Sequence, residues 1–161
     1  MRLTNTLKDW LKQKEWDELP EINEEANTSS LSFDYSIHDF NLKCFFEINE
    51  NHEIFKLYMY FFSAKCPEKS VVEVQKFVTR ISDDRYIGSL QLRSEERVIR
   101  AYAAIDVENA SFEPAHIQNL MNACANIMAE SLPKYMAICF GDKTAEDVFA
   151  VDVDDVQEEN V

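Results

Sequence analysis

Histidines and clustered carboxylates are the side chains of this sequence that could bind a metal ion. The three histidines, His38, His52 and His116, fall in two predicted turns and at a helix start, and none has a second ligand at i+2 or i+4. The acidic run at 152–155 lacks the glycine and the terminal glutamate of a calcium-binding loop. We therefore expect no metal site.

Nucleophilic and nucleotide-dependent chemistry lack the residues they need. The four cysteines have no CxxC spacing and no adjacent histidine, there is no GxSxG motif, and buried thiols in a reducing cytosol are unreactive. Gly88 and Gly141 are the two glycines of the chain, whereas phosphate-binding loops need several. The sequence thus predicts a protein that is not an enzyme and has no cofactor.

Charge and hydropathy restrict the partners. Thirty acidic and 16 basic residues give a net charge of −14, which opposes binding to nucleic acid or to an anionic membrane. The charge indicates either simple solubility or a carrier for a basic or aggregation-prone partner. The strongest apolar run, 57–62, is far shorter than the roughly 20 residues of a membrane span. No apolar leader follows the N-terminus, so we expect a cytoplasmic location.

The first half of the chain predicts one helix and three strands. Apolar residues at helical spacing place an N-terminal helix within residues 1–19, with Thr4, Asn5 or Thr6 as its cap. The polar, acidic segment 20–30 is interpreted as a linker loop. From there the period changes to two, which predicts strands over 31–37, 40–48 and 54–63. The third of these is apolar on both faces, as a central strand is.

The second half predicts a helix, a hairpin and a long helix. The helical period runs through 71–82, and the two strands of the hairpin are 86–93 and 98–107. Residues 117–132 carry a continuous apolar stripe of a long helix. The apolar run 136–140 fits either a helix or a strand, and a further short helix could begin at Thr144.

These elements follow the order α-β-β-β-α-β-β-α. The order predicts an α+β fold, in which helices pack on a curved, mostly antiparallel sheet. We expect residues 1–150 to form a single domain and residues 151–161 to be a disordered acidic tail.

Aromatic side chains occur on the sheet face opposite the predicted core, and we call this set the aromatic face. Five aromatics on one sheet face favour a protein-binding surface, because contiguous apolar patches usually mark interfaces. Alternatively, a helix, for example the N-terminal one, covers them and they are ordinary core. The set consists of Phe45, Tyr58, Tyr60, Phe62 and Tyr102.

The polar side of the long helix is rich in amides, although 29% of the residues of the chain are charged. Amides can be half-buried at a lower cost than charges. This side therefore indicates either simple solvent exposure or a homodimer contact through Asn119, Asn122 and Asn126.

Four regions of the second half carry a recognisable pattern: CPEKSVVEVQKFVTRIS, the hairpin strands IGSLQL and VIRAYAAIDVE, the helix IQNLMNACANIMAESLP, and MAICFGDKTAEDVF. Through these motifs, residues 55–149 resemble the YbjN family of bacterial proteins, described as sensory transduction regulators. These motifs are structural. They imply a fold similar to type III secretion chaperones, which are small, acidic and often dimeric, and a family without an established enzymatic activity.

The leading hypothesis is a non-enzymatic, cytoplasmic regulatory protein of the YbjN type that binds another protein. It would act in sensory transduction or stress, through the aromatic face or a strand edge. One alternative is a secretion-type chaperone for an effector protein. An alternative of another class is a small-ligand sensor, with the ligand between helix and sheet.

Overall fold

The structure is a computed structural model that describes residues 1–150, so the acidic tail predicted at 151–161 lies outside the described residues. The elements are α1 Arg2–Gln13, β1 Glu21–Asn23, β2 Thr28–Ile37, β3 Phe40–Asn49, β4 Ile54–Phe61, a 3-10 turn Glu68–Ser70, α2 Val71–Asp83, β5 Ser89–Arg93, β6 Val98–Asp106, α3 Pro114–Phe140 and a short helix α4 at 145–150.

The strands form a six-stranded sheet in the order β1-β2-β3-β4-β6-β5, and each neighbouring pair is antiparallel. Alternation along each strand separates two faces. Phe46 lies opposite Leu57, which lies opposite Ala103, and all three are buried on the face that carries the core. The α+β class predicted from the sequence is confirmed.

Helices α1 and α3 pack on that core face. The Trp10 ring of α1 meets Phe46 edge-on at 5.7 Å, and the Tyr135 ring of α3 meets Phe61 at 6.2 Å. The two helices also contact each other, since the Trp10 indole N–H donates to Gln118 Oε1 at 3.3 Å. Helix α2 lies along β5 and contacts α3.

The linker loop predicted at 20–30 is wrong in part, because it contains a strand. Glu21–Asn23 pairs with Thr28–Ser30, and Asn27 takes φ +53° in the turn between them. All three residues of β1 are exposed, so this strand has no apolar alternation that a pattern could reveal. Main-chain pairing holds it in place.

The start of α1 also differs from the sequence-based expectation, which placed the helix cap at residues 4–6. The helix begins at Arg2, and the Glu50 carboxylate, from the turn after β3, accepts its first N–H groups. A cap supplied by a distant turn leaves no local motif near the helix start.

The open question at 136–140 is resolved as helix. Helix α3 passes through Pro133 without ending, and Tyr135, Ile138 and Cys139 continue its buried stripe. The Tyr135 hydroxyl donates to the carbonyl oxygen of Ala64 at 2.9 Å, which ties the end of α3 to the loop after β4. Tertiary packing thus outweighs the helix-breaking tendency of proline.

The short helix predicted near Thr144 is present as α4. The Thr144 N–H donates to Asp147 Oδ2 at 2.8 Å, and the Asp147 N–H donates to Thr144 Oγ1 at 3.1 Å. These reciprocal bonds form a capping box at the helix start. Phe149 packs against Phe77 of α2, so α4 docks on the helical layer.

Candidate protein-binding face

Strand register brings the aromatic face together across three strands. Tyr58 of β4 lies directly opposite Phe45 of β3 on one side and Tyr102 of β6 on the other. In the next row, Tyr60 lies opposite Lys43 on β3 and Arg100 on β6. Side chains directly opposite each other on one face contact one another.

Ring contacts join all five predicted aromatics into one cluster. Tyr58 stacks on Tyr102 with ring centroids 5.1 Å apart, and Tyr60 stacks on Phe62 at 4.9 Å. Phe45 meets Tyr60 edge-on at 5.6 Å, and the Tyr58 and Tyr60 rings are 6.2 Å apart. The rings therefore form a continuous platform.

The N-terminal helix does not cover this platform. Helix α1 packs through Trp10 on Phe46, whose side chain points to the opposite face from that of Phe45. The alternative in which α1 makes the aromatic face ordinary core is therefore wrong. Phe62 remains 51% exposed, and the other four rings are half-buried, largely by one another.

Arg100 is a central member of this surface that the sequence analysis did not select. Its guanidinium carbon lies 4.7 Å from the Tyr58 ring centroid, 5.3 Å from that of Tyr60 and 5.8 Å from that of Tyr102. Nε–H donates to Gln91 Oε1 at 2.8 Å, and Nη1–H donates to the Tyr60 hydroxyl at 2.5 Å. Alternation along β6 places Arg100 and Tyr102 on one face. The register between β4 and β6 is needed to show that Tyr58 and Tyr60 lie beside them.

The Tyr58 hydroxyl is held neutral. Burial raises the pKa of Tyr58, and the nearby negative charge of Glu47 raises it further, to about 12. The nearby positive charge of Arg100 opposes this shift but does not reverse it. At neutral pH the hydroxyl therefore keeps its proton and is not a nucleophile.

The predicted dimer contact lies on the solvent side of α3. Asn119, Asn122 and Asn126 are exposed, and Asn122 Oδ1 accepts a hydrogen bond from Gln118 Nε2 at 2.8 Å. The three amides share one side of the helix, as their spacing requires. Their role in dimerisation stays a prediction.

Other side chains considered for chemistry have structural roles. His116 Nδ1 accepts the Glu113 N–H at 2.9 Å as part of the α3 cap. Burial raises the pKa of the thiols of Cys44, Cys124 and Cys139 to about 12. Within residues 1–150 no group of three His, Cys, Asp or Glu residues is placed to hold a metal ion. In the same range, no helix combines the length and the apolar character needed to span a bilayer.

The two edges of the sheet differ. At the β5 edge, the Ser82 hydroxyl accepts the Leu90 N–H at 2.9 Å and lies 2.9 Å from the Leu90 carbonyl oxygen. At the other edge, β1 pairs with β2 only over Thr28–Ser30, so β2 beyond Ser30 has no outer strand partner among residues 1–150. Strand addition is therefore blocked at Leu90 and open along the rest of β2.

No known protein family and no curated protein matches the sequence. Among solved structures, YbjN from E. coli, a candidate transcription regulator, is similar with a TM-score of 0.50 and 11% identity, over 81% of this chain and 91% of YbjN. A chain of the ExsC–ExsE complex is similar with a TM-score of 0.50 and 11% identity, over 80% of this chain and 95% of that chain. A chain of the HopA1–SchA chaperone–effector complex covers 78% of this chain and 89% of its own, with 14% identity and a TM-score of 0.46.

At these identities the likenesses establish the fold. The chain has the α+β architecture of YbjN and of the matched chain of the ExsC–ExsE complex. Function has to be argued from the surface of the protein, because one fold hosts many functions.

Proposed function

We propose that this chain is a cytoplasmic, non-enzymatic regulatory protein of the YbjN kind, which acts by binding another protein. The observation that carries the proposal is the aromatic face, a continuous platform of five rings on the side of the sheet opposite α1 and α3. Aromatic side chains are enriched in the centres of protein interfaces.

The packing of the aromatic face supports a role in binding a partner and not a role in the core of the protein. The rings bury part of one another's surface, but Phe62 is 51% exposed, and the ring–ring contacts of the five join only members of the aromatic face. Burying the remaining apolar surface would release roughly 25 cal/mol for each Å² removed from water. A partner that covers the platform would thus gain binding energy without any rearrangement of the core.

The free edge of β2 is a second route for the same activity. Main-chain N–H and C=O groups beyond Ser30 are available to an added strand, whereas Ser82 occupies the opposite edge. A partner segment that pairs with β2 would extend the sheet, a common mode of peptide recognition. Proline in such a segment would interrupt the pairing.

A second candidate is a chaperone for a secreted effector protein. The ExsC–ExsE structure contains two different proteins, and its fold similarity to this chain supports a surface that binds a second polypeptide. The two candidates predict different genomic surroundings. A gene for a secreted effector or a secretion apparatus beside the gene of this protein favours the chaperone, and its absence favours the regulator.

We further propose a homodimer in which Asn119, Asn122 and Asn126 lie at the subunit contact. Their exposure on one side of α3, in a chain otherwise rich in surface charge, supports this assignment. Amide side chains can be buried at an interface at a modest cost when they pair with one another.

A quantitative pull-down tests the aromatic face. Tagged wild-type protein and a Tyr58→Ser/Tyr60→Ser variant are incubated with native lysate, and captured proteins are compared by mass spectrometry. Tyr86→Ser is the matched control, because Tyr86 is fully exposed and lies outside the platform. We expect the control to retain the wild-type partners and the double variant to lose them.

The double variant also has a predicted cost in stability. It removes the Tyr58–Tyr102 and Tyr60–Phe62 stacks, each worth about 0.5–1.5 kcal/mol beyond its buried area. Circular dichroism and urea unfolding verify that the variant is folded under the pull-down conditions. Equal recovery of partners by a folded double variant and by wild type would show that the aromatic face is not the binding surface.

A further inference from the structure

Arg100 lies at the centre of the aromatic face, and no carboxylate of residues 1–150 forms an ion pair with it. Among the other cations on this face, Lys43 pairs with Asp34 at 3.1 Å, Arg93 pairs with Glu96 at 3.4 Å, and Lys56 lies opposite Glu47 in the strand register. Arg100 has hydrogen bonds only to the neutral groups of Gln91 and Tyr60, and it forms no ion pair in the part of the chain that the structure describes. A charge in this position is open to a partner from outside.

The carboxylates nearest in sequence and register are already engaged. Glu47 lies opposite Lys56 and near the Tyr58 hydroxyl, and Glu96 accepts one hydrogen bond from Arg93 Nη2 at 3.4 Å. Arg100 is close enough to lower the pKa of Glu96, but it is not its hydrogen-bond partner. Residues 1–150 therefore supply no carboxylate that pairs with Arg100.

The guanidinium is fixed in place before any ligand arrives. Nε–H and one Nη1–H are used by Gln91 and Tyr60, and the Tyr58 and Tyr102 rings lie within 6 Å of the guanidinium carbon. Both hydrogens of Nη2 and one of Nη1 remain available. An arginine fork that stacks on aromatic rings is suited to bind a carboxylate through two hydrogen bonds. Preorganisation lowers the entropy lost on binding.

The surroundings of Arg100 determine which groups of a ligand can lie beside the bound carboxylate. Aromatic rings extend from Arg100 through Tyr60 to the half-exposed Phe62, so the groups beside a bound carboxylate would rest on apolar surface. The site is an open sheet face and not a closed cavity, which suits an extended polypeptide. A nucleic acid strand is disfavoured by the net charge of −14.

We propose that Arg100 and the rings around it bind a segment of a protein partner in which an aspartate or glutamate side chain is flanked by apolar side chains. This proposal rests on the proposed protein-binding function and specifies the chemistry of the partner. Arg100 binds the carboxylate, and the tyrosine and phenylalanine rings bind the flanking apolar groups.

Selection from a random peptide library on the immobilised wild-type chain tests the proposal. We expect the selected peptides to be enriched in Asp or Glu next to apolar residues. The affinity of one selected peptide is then measured by fluorescence anisotropy for wild type, Arg100→Met, Arg100→Lys and Lys12→Met. Lys12 is an exposed cation on α1, so its replacement removes the same charge away from the aromatic face.

We expect Arg100→Met to lower the affinity for the peptide by at least about tenfold, and Arg100→Lys to lower it by a smaller factor. Lys12→Met should bind the peptide with the affinity of wild type. Replacement of the acidic residue of the peptide by its amide should cause the same loss with wild type and little further loss with Arg100→Met. This peptide substitution tests the contact on the unmodified protein, even if Arg100→Met does not fold.

The possible failures are distinguishable. Peptides without acidic enrichment that still lose binding to Tyr58→Ser/Tyr60→Ser would overturn the role of Arg100 and retain the aromatic face as the binding surface. Peptides insensitive to both sets of variants would overturn the face itself. A selection that yields no peptide above background would count against the Arg100 proposal.

Discussion

The Glu50 carboxylate is predicted to hold the N-terminal helix on the sheet. Glu50 Oε1 accepts the Thr4 N–H at 2.8 Å and the Thr4 hydroxyl at 2.7 Å, and Oε2 accepts the Leu3 N–H at 3.2 Å. Glu50→Gln removes the charge and places an amide N–H₂ group against one of these donors. We expect the free energy of unfolding to fall by about 2 kcal/mol, the lower part of the range for bonds to a charged group that stays partly exposed.

The pH dependence of this loss follows from the pKa of Glu50. Burial alone would raise that pKa, but the hydrogen bonds from Thr4 and Leu3 outweigh burial and hold it below the ordinary value of 4.5. A carboxyl whose pKa is lowered on folding stabilises the protein above its unfolded-state pKa, and the contribution disappears as the pH falls through the folded-state pKa. The difference in the free energy of unfolding between wild type and Glu50→Gln should therefore be fully present at pH 7 and should decrease below pH 4.5.

Urea unfolding at several pH values, with thermal melts at pH 7, provides the measurement. For a chain of this size, a loss of about 2 kcal/mol corresponds to a decrease in Tm of roughly 4–8 °C. Glu25→Gln is the matched control, because Glu25 is exposed in the turn between β1 and β2 and has no side-chain partner in residues 1–150. A Glu50→Gln variant as stable as this control at pH 7 would refute the capping role. A loss of stability in Glu50→Gln that did not change with pH would refute the electrostatic explanation.

The remaining predictions concern the sheet edge, the thiols and the oligomeric state. Ser82→Ala should leave the Leu90 N–H without its partner, so hydrogen exchange at Leu90 should accelerate and stability should fall by about 1 kcal/mol; unchanged exchange would contradict this. The four buried cysteines, with raised pKa values, should resist alkylation by iodoacetamide at pH 8 until urea unfolds the chain. Asn122→Arg/Asn126→Arg should convert a dimer to a monomer in sedimentation equilibrium, and a wild-type mass of 18.8 kDa at micromolar concentration would refute dimerisation.

The sequence predicted most elements because their apolar spacing is local. The strand that became β2 alternates between apolar and polar residues, β3 does so except at Phe45, and β4 is apolar on both faces. Helix α3 carries an unbroken stripe from Ile117 to Cys139. β1 was missed because its three residues are all exposed, and the start of α1 was misplaced because its cap comes from Glu50. Both errors concern contacts between segments distant in the chain, which local periodicity does not contain.

The sequence predicted which residues belong to the aromatic face, but it did not predict how they contact one another across the strands. Alternation places Phe45, Tyr58 and Tyr102 on the face opposite the core, yet it does not say that they meet in one row. It also does not say on which face the N-terminal helix lies, since an amphipathic helix fits any apolar surface. The contact of Trp10 with Phe46 decided that question.

Net charge and local charge lead to different conclusions about partners, and both apply to this protein. At physiological ionic strength, charges are screened over about 8 Å, so the total of −14 acts mainly on ligands that extend across much of the surface. A nucleic acid is such a ligand and is repelled along its length. A single carboxylate that reaches the aromatic face lies within that distance of Arg100, while Glu96 is already paired with Arg93. An acidic chain can therefore bind an acidic side chain at this position, provided that apolar contacts with the rings bring the segment close.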